Sequence, residues 1–279
     1  MCPLSVSRPM GGITFSVWGE IELRDHREMG IIQARGSAMV HSSLISMVWS
    51  EGVSEREAGL LKATVQQTLT WLFLRHPDAL TERPIHAHAL GEWAAAALGA
   101  DRVYARAQSY ADSSYDAQLQ RVIAPVYLEL VRRRPSTDCL RHLELALLHF
   151  DLTDFPAPLA RLRPDHHSLG SSFPGESAVM STSQLDRIED VAAHDLALRR
   201  LVRHHLGHLL GAPHLGRKHH VERMGLELHC TNRCAMRHAP DVDSLVAMAK
   251  EERAMGWPFC EDCTRDLHSA VARHMVSDN

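Results

Sequence analysis

The chain has 279 residues, 45% of them hydrophobic, with 30 Lys and Arg against 34 Asp and Glu for a formal charge of −4. That length can bury a sizeable core as one large domain or a domain with a small appendage. The near balance of charge leaves no electrostatic footprint for nucleic acid or an anionic membrane.

The segment MCPLSVSRPMGG lacks the apolar core of a secretory signal, and the apolar run WAAAALGA from Trp93 is too short to span a bilayer, so a cytoplasmic, soluble protein is expected. Residues 12–23 mix β-branched and aromatic residues in rough alternation and read as a strand, with one or two more strands over 31–48. Ser54 opens a capping-box pattern, SERE, and Leu61, Val65, Leu69 and Leu72 recur at helical spacing up to Pro77, which predicts a helix over 54–76. A second helix is expected within 86–108, and a third over 116–134, striped by Leu119, Val122, Ile123, Val126 and Leu130 and stopped by Pro135. HLELALLHFDL then reads as a buried strand ending near Asp151, FPAPLARLRPDHH as loop, and SAVMSTS as an edge strand. Ile188, Val191, Leu198, Leu201, Val202 and Leu209 stripe a helix from Leu185 to about Leu210, which Gly211 and Pro213 terminate. Two short helices, 241–255 and 261–275, flank GWPFCEDC.

Two constellations carry chemistry. In HHLGHLLGAPH, His204 and His208 lie four apart on one helix face, so their imidazoles can converge on a single cation. Zinc takes three such nitrogens and leaves a fourth position open. Gly211 lets the helix end abruptly, so that His214 can return to the same metal. Downstream, the pairs Cys230 and Cys234, and Cys260 and Cys263, have the internal spacing of a closed four-cysteine zinc site that contributes folding energy. In a reducing compartment this grouping favours metal over disulfide. A four-cysteine module can also be an interaction knuckle, but DVDSLVAMAKEERAMG between the pairs has no basic and aromatic run for phosphates and bases. Cys2 and Cys139 are isolated thiols. Most of the 20 histidines, His86, His88, His166, His167, His219 and His220 among them, have no ligand spacing.

With HHLGHLLGAPH followed by CTNRCAM and CEDC, the chain resembles the archaemetzincins, metzincin-type zinc peptidases with an H-E-x-x-H-x-x-G-x-x-H motif and later paired cysteines. SLGSSFPGESAVMSTSQL and ALLHFDLTDF are similar to that family's strand segments ahead of the active-site helix, so the resemblance covers about residues 115–270 and leaves the first 110 unexplained. Met236 falls where the family places the methionine beneath the catalytic zinc. His205 stands where the family has glutamate. Leu215 replaces the cysteine that follows the third histidine, and LGRKHHVERMGLELH is an added segment before Cys230. His229, immediately before Cys230, is an alternative third ligand; His214 is preferred for its spacing from Gly211.

The resemblance implies an α/β (α+β) metzincin-like fold with a twisted mixed sheet. It divides the chain into an N-terminal part over 1–110, a core over 111–214 with the zinc helix at 185–211, and a C-terminal part over 215–279 carrying the Met-turn and the four-cysteine site. It also implies two zinc ions per chain, hydrolysis of peptide bonds, and a polypeptide substrate along the edge strand near 177–183. His205 is a poor base, because it would gain a positive charge beside a dication where glutamate would lose a negative one. It can instead be a fourth ligand or a bystander, with Glu176 as a substitute base; without turnover, the protein is a zinc-binding pseudopeptidase that binds peptides or proteins.

Overall fold

The computed structural model describes residues 13–15, 42–77, 85–91, 93–98, 101–132, 140–225 and 227–273. Of the strands expected over 12–23 and 31–48, β1 (Ile13–Phe15) and β2 (Ser42–Trp49) are present, and the remainder of both segments lies outside the described residues. Helix α1 (Glu55–Arg75) starts as expected, with the Ser54 hydroxyl accepting from the Glu57 N–H at 3.2 Å and the Glu57 carboxylate accepting from the Ser54 N–H at 2.9 Å. Its stripe of Leu61, Val65, Leu69 and Leu72 is buried.

Among the described residues of 86–108 the expected helix is absent. The segment forms β3 (Ile85–Gly91), β4 (Trp93–Leu98) and β5 (Asp101–Arg106), followed by the short helix α2 (Ala107–Ser113). Ile85 and Ala87 alternate with half-buried His86 and His88 because β3 pairs parallel with β2, and this pairing overrides the helical propensity of the alanines. The helix expected over 116–134 is cut to half its length. Gln120 has φ of 54°, which ends a turn between β6 (Tyr115–Asp116) and β7 (Arg121–Ile123), and only α3 (Ala124–Arg132) is helical, with Pro125 in its first turn where a missing N–H is harmless.

β8 (Leu140–Leu148) is the expected buried strand, although it stops before Asp151; β9 (Leu152–Thr153) pairs with β7, and the loop beyond contains one helical turn, α4 (Ala157–Ala160). After β10 (Gly170–Phe173) and β11 (Ser177–Ser181), a tight turn leads to α5 (Val191–Leu209), which is capped by the Asp190 carboxylate. The hairpin β12 (Val221–Met224) and β13 (Glu227–Cys230) was not expected; α6 (Val242–Met255) and α7 (Glu261–Arg273) were.

The main sheet is mixed, in the order β1-β3-β2-β8-β11-β10, with a parallel centre and an antiparallel strand at each edge. β11 is therefore interior and wholly buried, and the edge expected at 177–183 belongs instead to β10. Both faces of the centre are covered, so β2, β8 and β11 bury polar side chains such as Ser46 and Glu144 together with their apolar ones. Leu143, Leu145 and Leu147 face a core shared with α1 and α5, whereas Ala146 and Leu148 pack with Tyr127 and Leu128 of α3. The first core continues through Cys234, Met236, Leu245, Phe259 and Leu267, which joins the C-terminal elements to the sheet side of α5. Arg200, buried on α5, donates to the carbonyls of Cys234 at 3.3 Å and Arg237 at 2.8 Å and ties the same two regions together. No helix among the described residues is long and apolar enough to cross a membrane.

Candidate metal centres

The last two turns of α5 carry His204, His205 and His208, all at least 94% buried. Gly211, at φ of 88°, closes the helix: its N–H donates to the His208 carbonyl and the Ala212 N–H to that of Gly207. The chain then returns through β12 and β13. On β13, Glu227 and His229 are two residues apart and so project from the same face of the strand. The result is a group of four, His204, His208, Glu227 and His229, each offering a ligand atom within 4.8 Å of the others.

The orientation of these side chains is built in. His204 Nδ1 lies 2.8 Å from the Ala235 carbonyl, which can only accept; this ring nitrogen therefore carries the proton and Nε2 keeps its lone pair. That Nε2 faces His208 Nε2 at 3.2 Å. His229 stacks on His204, with ring centres 5.1 Å apart, and neither of its nitrogens makes a hydrogen bond although both are buried. Below, Met236 packs against Gly207, where a Cβ would collide with its sulfur. Glycine at this position lets the methionine approach the helix between the two histidines.

Electrostatics keep the histidines neutral. Burial holds His204 well below the ordinary imidazole range, His205 at about 4 and His208 at about 3. Glu227 is driven the other way by burial, but the facing imidazoles of His208, His229 and His205 outweigh this and hold it below the usual carboxylate range. Neutral imidazoles beside a carboxylate are the form in which these groups bind a divalent cation. A tetrahedral ion with bonds of about 2.0 to 2.1 Å has donors about 3.3 Å apart. The observed 3.2 Å between His204 and His208 fits that edge.

The second group is Cys230, Cys234, Cys260 and Cys263. Their sulfurs are 3.7 Å apart for Cys230 and Cys260 and 3.8 Å for Cys234 and Cys263, against about 3.8 Å for the edge of a tetrahedron with 2.3 Å zinc–sulfur bonds. Hydrogen bonding among the thiols pushes Cys230 and Cys260 down and Cys234 and Cys263 up, so they behave as one proton-sharing unit. Arg217 donates to Cys263 Sγ at 3.4 Å and pairs with Asp266 at 3.0 Å, placing a positive charge beside the thiols. The two groups are adjacent, because His229 and Cys230 are consecutive on β13.

All four expected cysteines, and two of the three expected histidines, thus fall within these groups. His214 does not. Its N–H is bound by Asp266 and its Nδ1 accepts from the Gly216 N–H at 3.1 Å, so the ring folds onto its own turn. His229 occupies the place expected for it, brought there by the added segment, which forms the β12–β13 hairpin. The signal in the sequence is the direct adjacency of His229 to Cys230, since the cysteine expected after the third histidine is missing at Leu215. Glu227 was missed; its i, i+2 relation to His229 becomes informative only once β13 is known to be a strand.

His205 is also outside the group. Its Nδ1 is 2.8 Å from Ser172 Oγ on β10, and a Cβ at Gly170 would overlap its Nε2 and come within 2.8 Å of the Val179 carbonyl. His205 is thus a buried link between α5 and the edge strand. Glu176 is exposed in the turn between β10 and β11. A separate cavity of about 670 Å³ opens beside the start of β10, lined in part by Leu169, Gln184, Arg187, Val246 and Lys250; none of the metal-group residues lines it.

Comparison with solved structures finds similarity to the crystal structure of archaemetzincin from Methanopyrus kandleri, with a TM-score of 0.48, 18% identity, and coverage of 86% of this chain and 99% of that one. No protein-family profile and no curated protein matches the sequence.

Proposed function

We propose that this protein is a zinc-dependent metallopeptidase of the archaemetzincin type, holding one zinc at His204, His208 and His229 and a second, structural zinc at the four cysteines. The observation that carries this reading is the convergence of three buried imidazoles next to a cluster of four thiols, three of them buried. Zinc at the histidine centre supplies Lewis-acid polarisation of a carbonyl and acidification of water. The chain's own residues do the rest. Ala235 fixes the tautomer of His204, and Met236 supports the helix beneath the centre. Among the described residues β10 pairs only with β11, leaving its outer edge for an extended peptide to add as a strand.

A specific observation favours a second reading, a peptide-binding centre without turnover: His205, at the position of the catalytic glutamate, is bonded to Ser172 and held neutral by burial. Metal-replete protein incubated with a mixed peptide library separates the two. Cleavage abolished by a chelator and by His208→Ala is the expected outcome. Saturable peptide binding without cleavage establishes the second reading, and neither binding nor cleavage contradicts both.

A further inference from the structure

The side-chain geometry points to Glu227 as a fourth ligand that closes the histidine centre at rest. This inference rests on the proposed zinc site and adds to it a donor from the hairpin. Glu227 Oε2 lies 3.2 Å from His229 Nε2 and 4.0 Å from His208 Nε2, and His204 Nε2 is 3.2 Å from His208 Nε2. Two of the six edges of the donor set are therefore close to the roughly 3.3 Å expected around one tetrahedral ion, and the other donor pairs, the 4.0 Å edge among them, stay within 4.8 Å.

A carboxylate that merely orients a ligand histidine accepts a straight hydrogen bond from the ring nitrogen turned away from the metal. Glu227 does not do this. The carboxylate oxygen that lies 3.2 Å from His229 Nε2 also approaches His208 Nε2 at 4.0 Å, so it sits between two imidazoles instead of behind one. Charge gives the same answer. Imidazole ligands carry no charge to offset a buried dication, and Glu227 is the carboxylate within the group.

Glu227 thereby takes the corner that a three-histidine peptidase site leaves open, and an incoming carbonyl or anion reaches the metal only when Glu227 leaves it. His229 and Cys230 hold β13 in place, so opening the centre is a movement of the Glu227 side chain and not of the strand.

The test uses full-length protein with zinc retained at the cysteines and cobalt(II) loaded at the histidines, titrated with azide and followed by visible absorption. Parent protein is expected to leave the cobalt spectrum unchanged at azide concentrations that saturate the Glu227→Ala centre. Glu227→Gln, nearly isosteric, serves the same purpose if the alanine variant does not fold. Equal response in parent and variants, or response in neither, overturns the assignment of Glu227 while leaving the zinc site intact. Failure of the parent to take up cobalt at the histidines instead removes the zinc site itself, and with it the proposed function.

Discussion

Replacing Cys263 with serine is expected to release metal from both centres and to unfold the C-terminal elements, whereas His208→Ala should release only the histidine-bound metal. Structural zinc contributes about 10 to 16 kcal/mol to the folding of small zinc modules, as much as the net stability of a typical domain at about 5 to 15 kcal/mol. The four thiols draw together β13, the loop after it and the start of α7. The histidine centre depends on that clamp: His229 precedes Cys230, Ala235 orients His204, and the Cys230 N–H donates to the Met236 carbonyl at 2.9 Å. No dependence runs the other way, because His204 and His208 stand on a helix already buried against the sheet and α1. Elemental analysis with calorimetry checks the asymmetry. A Cys263→Ser protein that keeps one equivalent of zinc and melts like the parent would contradict it.

Acidification below pH 6.5 is expected to destabilise the fold through its buried imidazoles. His205 titrates at about 4 and His208 at about 3 in the folded protein because burial disfavours their charged forms, against about 6.5 when unfolded. Between these values the unfolded chain binds protons that the native chain does not, so stability is complete above pH 6.5 and falls as the pH drops toward 4. At about 1.4 kcal/mol per pKa unit, His205 alone removes roughly 3 kcal/mol. Loss of zinc as its ligands protonate acts in the same direction. Urea unfolding at pH 7.5, 6 and 5 measures the slope, and His205→Gln, which keeps a partner for Ser172, should flatten it by about one proton at equal zinc occupancy. A parent stability that does not change from pH 7.5 to pH 5 would show that these imidazoles are not buried neutral.

The parts of the site that were legible in the sequence are those set by short-range geometry. His204 and His208 are neighbours because a helix repeats every 3.6 residues, and the capping box at Ser54 and the αL stop at Gly211 announce their own ends. The four cysteines group as their spacing implied. What could not be read locally depended on pairing between distant segments. The segment IHAHALG reads as the start of a helix until β2 pairs with it as β3, and SAVMS has the pattern of an edge strand until β10 folds back to cover it. Likewise the spacing of His214 from Gly211 fits a ligand, but the β12–β13 hairpin carries His229 in from fifteen residues further along. His205 keeps its place on the helix and loses its expected setting, since the direction of a side chain is decided by what packs against it, here Ser172 and Gly170.

Anomalous diffraction at the zinc edge from crystals of the metal-replete chain tests the central claim most directly. Two peaks per chain are predicted, one among the four cysteine sulfurs and one bonded to His204, His208 and His229. A peak bonded to His214 in place of His229, or no peak at the histidines, would contradict it.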